Sequence, residues 1–271
     1  MDYRLMAVDL DGTLLTDDKT ISGGTLKAVR RAIDAGLTFV VATGRAWPGV
    51  KKYAEQIPLK GPVITIDGSM IVDSVTEDIL YTQPLEYNDA MLLLKMGRER
   101  NVTQVIWCRN RLYGTLINDR MQDYSARFGG GAAVNKAEDF EKLARDGISK
   151  VLWYDEPVRV NEWVGQLRAT DFESLTACTS EPFFVEIFNA KVSKAKALEK
   201  LSQMYGISPK EMIAVGDGGN DVPMLKYAGL GVAMGNAADS VKKEADEVAP
   251  DNGSDAIAVL LNKYFPGGQN G

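Results

Sequence analysis

The sequence predicts an α/β fold with a Rossmann-like parallel-sheet core and an α+β domain inserted into it. Strands and helices alternate at both ends of the chain, which is typical of a parallel sheet. The middle of the chain instead shows a hairpin pattern, and 271 residues are enough for two domains. We therefore expect a core domain from residues 1–83 and 188–271, interrupted by an inserted domain from residues 84–187.

The first part of the chain alternates between strand and helix. Residues 5–8 form an apolar strand that leads into Asp9. Ser22 is placed to cap a helix whose apolar residues recur at helical spacing, and Gly36 follows the end of that helix. Residues 37–42 are continuously apolar, as expected for a strand buried on both faces. The elements expected next are a short helix from Pro48 and strands at residues 63–66, 70–72 and 79–81.

The inserted part is expected to mix helices with antiparallel strands. Residues 103–108 and 112–116 flank the turn at 109–111, and this pattern predicts a hairpin. Helices are expected at residues 88–100, 119–128 and 138–144. Strands are expected at residues 150–154, 175–179 and 183–188, and the three glycines at 129–131 predict a loop.

Alternation of helix and strand resumes in the last part of the chain. Ser208 and Glu211, with Pro209 between them, match a capping box that opens a helix. An apolar strand at residues 212–215 then leads into Gly216 and Asp217. The remaining elements are expected as helices at residues 193–205, 221–227, 238–245 and 255–261 and a strand at residues 230–233.

Composition excludes several classes of function. The formal net charge of −6 argues against affinity for nucleic acid or an anionic membrane, since both select a basic face. The chain has no histidine, which removes histidine-based triads, histidine general bases and histidine-ligated zinc. With two cysteines and no signal-peptide pattern, we expect a soluble protein of the cytoplasm, a reducing compartment. Carboxylates, hydroxyls, lysines and metal ions are left to carry out the chemistry.

Polar residues follow four predicted strands at the point where each ends: Asp9 with Asp11, Thr43, Asp67 and Asp217. In a parallel sheet, ligands bind beyond the carboxyl ends of the strands, so we expect these residues to converge. Asp9 and Asp11 stand at i and i+2 and are expected on one face of their strand. Neighbouring carboxylates repel each other unless a cation lies between them, and oxygen ligands suit Mg²⁺. Such a site is typical of phosphoryl transfer.

The motif Asp-Leu-Asp-Gly-Thr at residues 9–13, with Gly-Asp-Gly-Gly-Asn-Asp at 216–221, carries a family resemblance. The chain resembles the haloacid dehalogenase superfamily phosphatases of the Cof-like, type IIB capped branch over essentially its whole length. The resemblance implies that Asp9 attacks phosphorus and becomes an aspartyl-phosphate. It implies that Asp11 protonates the leaving alcohol and later deprotonates the hydrolytic water, as a neighbouring acid and base must.

The same resemblance implies the cofactor, the binding residues and the role of the insert. Mg²⁺ is the implied cofactor, and the inserted α+β domain is an implied cap that selects the substrate. The implied metal ligands are Asp9, Asp11, Asp217 and Asp221. The residues implied to bind the phosphoryl group are Thr43, Gly44, Lys194 and Asn220.

The chain departs from the family pattern at two places. Relatives commonly have Asn-Gly where this chain has Asp67-Gly68, which adds negative charge beside the predicted site. Relatives often have a glycine after the motif lysine, where this chain has Ala195. Lys191 is therefore a competing candidate for the role given to Lys194.

We expect a Mg²⁺-dependent phosphatase that hydrolyses small phosphomonoesters, such as sugar phosphates or similar metabolites. Pyridoxal phosphate is an alternative substrate. A phosphotransferase or sugar phosphomutase is an alternative enzyme, because it uses the same aspartyl-phosphate but passes the group to another hydroxyl. A non-catalytic receiver is a third alternative, since such domains also place acidic residues, a hydroxyl and a lysine around Mg²⁺. The pattern gives no indication of oligomeric state.

Overall fold

The structure is a computed structural model that describes residues 3–266 except 171, 173 and 180. The chain divides into two compact units. The first comprises Met1–Gly44, Lys51–Leu80 and Ser193–Gly271, and the second comprises Arg45–Val50 and Tyr81–Val192. The sequence-based division at residues 83 and 188 stays a prediction, and it did not foresee that Arg45–Val50 groups with the second unit.

Strands and helices alternate along most of the described chain. The strands are β1 (Leu5–Val8), β2 (Thr38–Ala42), β3 (Pro62–Thr65), β4 (Met70–Asp73), β5 (Ile79–Thr82), β6 (Thr103–Cys108), β7 (Arg111–Gly114), β8 (Val134–Lys136), β9 (Ile148–Tyr154), β10 (Leu175–Cys178), β11 (Phe184–Asn189), β12 (Met212–Gly216), β13 (Leu230–Ala233) and β14 (Glu247–Val248). The α-helices are α1 (Gly23–Asp34), α2 (Trp47–Gln56), α3 (Tyr87–Glu99), α4 (Asp119–Arg127), α5 (Phe140–Asp146), α6 (Pro157–Ala169), α7 (Lys194–Tyr205), α8 (Val222–Tyr227), α9 (Asp239–Lys242) and α10 (Ala256–Tyr264).

The first unit contains an eight-stranded sheet in the order β14-β13-β12-β1-β2-β3-β4-β5. The strands from β14 to β3 are parallel, and β4 returns antiparallel to β3. Every residue of β1 and β12 is buried, because helices cover both faces of a parallel sheet. The predicted α/β fold with a parallel core is confirmed. The carboxyl ends of β12, β1, β2 and β3 therefore lie side by side at one edge.

Helix ends in the first unit follow the predicted capping signals. Ser22 accepts a hydrogen bond from the backbone N–H of Thr25 and caps α1. Ser208 and Glu211 form the predicted capping box, but it opens a single 3₁₀ turn, Pro209–Glu211, rather than an α-helix. The turn is short because Met212 already begins β12.

The second unit contains a six-stranded sheet in the order β10-β11-β9-β6-β7-β8. Its pairs are antiparallel except β7 with β8, and the predicted hairpin between β6 and β7 is present. One face carries an apolar core that includes Trp153, Val185 and Ile187 together with residues of α3, α5 and α6. This is the predicted α+β insert. Among the described residues, no helix combines the length and apolar character needed to cross a membrane.

Candidate active site

Asp9 lies at the carboxyl end of β1, where the parallel ladder fixes its backbone. Its N–H donates to the carbonyl of Val215 at 2.9 Å, so Asp9 continues the pairing of β1 with β12. The Asp9 side chain is buried and accepts a hydrogen bond from Lys194 Nζ at 2.5 Å. The same ammonium donates to Asp221 Oδ1 at 2.6 Å. Lys194 is thus a buried bridge between the two predicted acidic clusters.

Asp217 completes a group of three carboxylates. One carboxylate oxygen from each of Asp9, Asp217 and Asp221 lies within 4.8 Å of the others. Thr13 Oγ1 donates to Asp217 Oδ1 at 2.7 Å and orients that side chain. The second oxygen of Asp221 accepts the backbone N–H groups of Asp217 and Gly218 at 3.0 and 2.9 Å. Hydrogen bonds therefore hold Asp217 and Asp221 in place before any ligand binds.

Two glycines permit these close approaches. Gly12 has φ of +80°, and a Cβ added there would lie 2.4 Å from Asp217 Oδ2. Gly68 has φ of +100°, and a Cβ there would lie 2.3 Å from the carbonyl oxygen of Ser193. Since Ser193 caps α7, whose first residue is Lys194, Gly68 lets that helix start pack close to the strand ends. Glycine is the residue that meets both the dihedral and the steric requirement.

The electrostatics of this group favour a divalent cation. When all three carboxyl groups are ionised, they and the Lys194 ammonium leave two negative charges in excess. Burial raises the pKa of Asp9 to about 8 although Lys194 opposes the shift, and burial also raises the pKa of Asp217. Burial alone lowers the pKa of Lys194, but Asp9 and Asp221 outweigh it and raise that pKa. Carboxylate oxygens at this spacing fit a hard divalent ion.

Residues at the ends of β2 and β3 form a second group at the same edge. The backbone N–H of Asp67 donates to the carbonyl of Thr43 at 3.0 Å, and Thr43 is buried. A Cβ added to Gly44 would lie 3.0 Å from Asp67 Oδ2. Asn220 Nδ2 donates to Asp67 Oδ1 at 2.8 Å. Asp67, the residue at which this chain differs from the family pattern, is therefore hydrogen-bonded both to Asn220 and to the Thr43-Gly44 turn.

The carboxylate of Asp11 lies outside the three-carboxylate group. Its Oδ1 lies 3.0 Å from Lys19 Nζ, and its side chain is 37% exposed whereas that of Asp9 is 9% exposed. The strand β1 ends at Val8, so strand alternation does not extend to Asp11. The Asp11 side chain therefore lies apart from the other three carboxylates, and the assignment of Asp11 as a metal ligand stays a prediction. A partly exposed carboxyl group beside the site is accessible for proton transfer.

The structure also separates the two candidate lysines. Lys191 is exposed, whereas Lys194 is 1% exposed and touches two carboxylates. Sequence reasoning missed the roles of Thr13 and Lys19. Thr13 belongs to the aspartate motif, and its short hydroxyl beside Gly12 was the available signal. Lys19 gave no signal, because it reaches Asp11 through a turn in the loop that follows β1.

Comparison with known proteins agrees with this geometry. The family model described as haloacid dehalogenase-like hydrolase matches residues 6–261. The chain belongs to this family. The resemblance predicted from the motifs is therefore confirmed, and members of this family are generally metal-dependent. The acidic group of this haloacid dehalogenase-like hydrolase is consistent with that requirement.

Individual relatives match the hydrolase over nearly its whole length. A 5-amino-6-(5-phospho-D-ribitylamino)uracil phosphatase of Bacillus subtilis is 32% identical, over 97% of this chain and 96% of that protein. A pyridoxal phosphate phosphatase of Escherichia coli is 31% identical, over 98% of this chain and 100% of that protein. The predicted class of enzyme, a phosphoric monoester hydrolase acting on small phosphorylated molecules, is confirmed.

A solved structure supports the fold of the hydrolase with its inserted domain. A sugar phosphatase of subclass IIB has a TM-score of 0.77 at 21% identity, with 97% of this chain and 99% of that chain covered. This likeness bears on the fold, a parallel-sheet core with an inserted α+β domain. We refer to the second unit as the cap below.

Chelation of divalent metal is expected to make the stability of the hydrolase depend on Asp9 and on pH. A carboxyl group whose pKa is higher in the folded than in the unfolded state stabilises the fold less as the pH rises. In chelator, wild type should lose stability relative to Asp9→Asn between about pH 4 and about pH 8, the interval of the Asp9 shift. The free energies of unfolding of both proteins, measured in urea across this pH range, test this prediction. A difference in unfolding free energy between the two proteins that stays constant with pH would contradict the raised pKa of Asp9. Added Mg²⁺ should reduce the pH dependence of wild type.

Proposed function

We propose that the protein hydrolyses small phosphomonoesters in two steps, with Asp9 as nucleophile. A carboxylate oxygen of Asp9 attacks phosphorus, the bond from phosphorus to the ester oxygen breaks, and Asp11 gives its proton to the departing alcohol. Water then attacks the aspartyl-phosphate and Asp11 takes its proton. The phosphorus bond to Asp9 breaks, which releases phosphate and restores both carboxyl groups.

The observation that carries this proposal is the buried contact between Lys194 and Asp9 within the three-carboxylate group. A buried lysine beside the attacking oxygen attracts a phosphate dianion and offsets the charge that accumulates during attack. Mg²⁺ held by Asp9, Asp217 and Asp221 would neutralise further negative charge on the phosphoryl group. Asn220 and the Thr43-Gly44 turn would supply hydrogen bonds to the phosphoryl oxygens.

The cap would select the leaving group through a buried ion pair. Val151 and Ile187 belong to the apolar core of the cap, so Lys150 and Glu186, one residue earlier on β9 and β11, lie on the opposite face of the sheet. Lys150 Nζ lies 3.3 Å from Glu186 Oε2, and Lys150 is 5% exposed. Buried ion pairs add little net stability because desolvation offsets attraction. We assign this pair to recognition of polar groups on the substrate.

Neutralising this pair should change substrate preference more than chemistry. We expect the double variant Lys150→Met/Glu186→Gln, which removes both charges together, to change kcat/KM ratios between metabolites by about tenfold. Turnover of a small aryl phosphate should stay within about twofold, because such a substrate makes few contacts beyond the phosphoryl group. The exposed pair Lys136→Met/Glu138→Gln provides the control. An equal loss for every substrate contradicts the assignment.

The substrate class is proposed from chemistry that the relatives' names share. The phosphoribityl compound and pyridoxal phosphate are both phosphate esters of primary alcohols attached to a larger polar molecule. Sugar phosphates with a primary phosphate belong to the same class, so we place the substrate there. Purified protein with Mg²⁺ should release inorganic phosphate from such esters in a metabolite panel ranked by kcat/KM.

The same panel separates the alternative enzymes. A phosphotransferase or phosphomutase would yield a phosphorylated acceptor in place of inorganic phosphate when a sugar is added. A receiver would take up the phosphoryl group without turnover. The relatives' naming as phosphatases supports hydrolysis. Release of phosphate that does not match consumption of ester would reject the hydrolytic proposal.

A further inference from the structure

Two asparagines that lie more than 200 residues further along the chain hold the loop that follows Asp9. Asn236 Nδ2 donates to the carbonyl oxygen of Gly12 at 2.8 Å. Asn252 Nδ2 donates to the carbonyl oxygen of Leu15 at 2.9 Å. We call Asn236 and Asn252 the asparagine clamp. The clamp thus holds one carbonyl group between Asp11 and Thr13 and a second one two residues after Thr13.

The two members of the clamp also bind each other. The backbone N–H of Asn252 donates to Asn236 Oδ1 at 3.1 Å. Each amide therefore has partners of fixed polarity: Asn236 must accept at Oδ1 and donate at Nδ2, and Asn252 must donate at Nδ2. The backbone N–H of Gly235 donates to the carbonyl of Pro250 at 3.0 Å, which aligns the two loops that carry the clamp. The arrangement specifies one orientation for both side chains.

The clamped loop is tied directly to the nucleophile and to the acid. The N–H of Leu14 donates to the carbonyl of Asp9 at 3.1 Å, and the N–H of Leu15 donates to the carbonyl of Leu10 at 2.9 Å. Asp11 lies within this closed turn and contacts Lys19, which follows it on the same loop. Asn252 Nδ2 also donates to Asp17 Oδ1 at 3.1 Å and so holds the segment leading to Lys19. Displacement of this loop would move Asp11 relative to Asp9.

We propose that Asn236 and Asn252 are positioning residues that set the place of Asp11 for proton transfer. The inference rests on the proposed role of Asp11 as acid and base. Asn236 is exposed and Asn252 is half-buried, so their hydrogen bonds add little to global stability. Proton transfer, in contrast, requires the acid within hydrogen-bond reach of the leaving oxygen, and small misplacements lower rates strongly. The clamp therefore serves catalysis more than folding.

The two steps of the reaction provide a readout that a structural role would not give. With 4-nitrophenyl phosphate, the leaving phenolate departs without a proton, so the first step does not need Asp11. The second step still needs Asp11 as the base. For Asn236→Ala and Asn252→Ala, rapid mixing should show a burst of nitrophenolate at about the wild-type rate. Steady-state turnover should be about 10- to 100-fold slower. An alkyl phosphate needs a proton from Asp11 to release its alcohol, so the variants should slow the first step as well as the second. The KM for such a substrate should stay within about twofold of wild type.

Three further variants make the test decisive. Asn236→Asp keeps the acceptor but loses the donor to Gly12, so it should behave like Asn236→Ala. Asn262→Ala removes an exposed asparagine that accepts from Arg31 on the same unit, and it should leave both steps unchanged. Asp11→Asn should show the burst pattern with a larger loss of steady-state turnover.

Each outcome has a distinct meaning. The clamp proposal is wrong if Asp11→Asn shows the burst pattern but the clamp variants react at the wild-type rate. It is also wrong if the clamp variants slow the burst and the steady-state turnover equally. If Asp11→Asn itself slows the burst and the steady state equally, the proposed role of Asp11 is wrong. The clamp proposal stands if all three clamp variants show the burst with slow turnover.

Discussion

Replacing Asp9 with asparagine is expected to lower kcat by at least about 10⁴-fold while the protein stays folded. The amide is nearly isosteric but is a poor nucleophile toward phosphorus, so no aspartyl-phosphate can form. Folding should persist because burial already disfavours the charged form of Asp9, as its raised pKa indicates. Phosphate release under saturating substrate and Mg²⁺, with circular dichroism on the same samples, provides the measurement.

The matched control for this variant is Asp34→Asn. Asp34 is exposed at the end of α1, so the substitution makes the same change in charge away from the acidic group. Its kcat should equal that of wild type. An Asp9→Asn protein that is folded and retains more than about a tenth of wild-type turnover would exclude Asp9 as the nucleophile.

Replacing Lys194 with methionine is expected to have the largest effect on stability. The ammonium is buried and donates to Asp9 and Asp221, and these carboxylates raise its pKa against the effect of burial. Removing one member of such a group leaves uncompensated buried charge, which costs about 3–5 kcal/mol. Urea unfolding in chelator should therefore show a loss of this size, and Mg²⁺ should restore part of it because it replaces the lost positive charge.

Lys191→Met is the control, since Lys191 is exposed and was the competing sequence candidate. It should unfold like wild type with and without Mg²⁺. Activity separates the two lysines as well: Lys194→Met should lose most turnover even with Mg²⁺, whereas Lys191→Met should keep it. Equal stability of Lys194→Met and wild type in chelator would contradict the charge balance assigned to the site.

The arrangement of the core followed from sequence because its signals are local. Continuous apolar runs predicted β1, β2 and β12, and the polar residue after each run marked the edge where ligands bind. Ser22 and Gly36 marked the ends of α1 by local hydrogen bonding and dihedral preference. The convergence of Asp9 with Asp217 then followed from parallel pairing of β1 with β12.

Other features were not predicted, most of them because they depend on tertiary contacts. Helix α6 was missed although the signals were available: Pro157 lies in its first turn, and Val160, Trp163 and Leu167 recur at helical spacing. Strands β8 and β14 are too short to give a pattern. The position of Asp11 depends on where β1 stops, which is set by the turn from Asp9 to Leu15. The clamp joins residues more than 200 positions apart, so spacing carries no information about it.

The residue that becomes covalently phosphorylated decides whether Asp9 is the nucleophile. Asp11→Asn should form the aspartyl-phosphate from 4-nitrophenyl phosphate and hydrolyse it slowly, so the intermediate should accumulate. After rapid acid quench and proteolysis, mass spectrometry should find the added phosphoryl group on the peptide that contains Asp9, and Mg²⁺ should be required. A phosphoryl group on any other residue, or turnover in wild type with no phosphorylated peptide in either protein, would exclude Asp9 as the nucleophile.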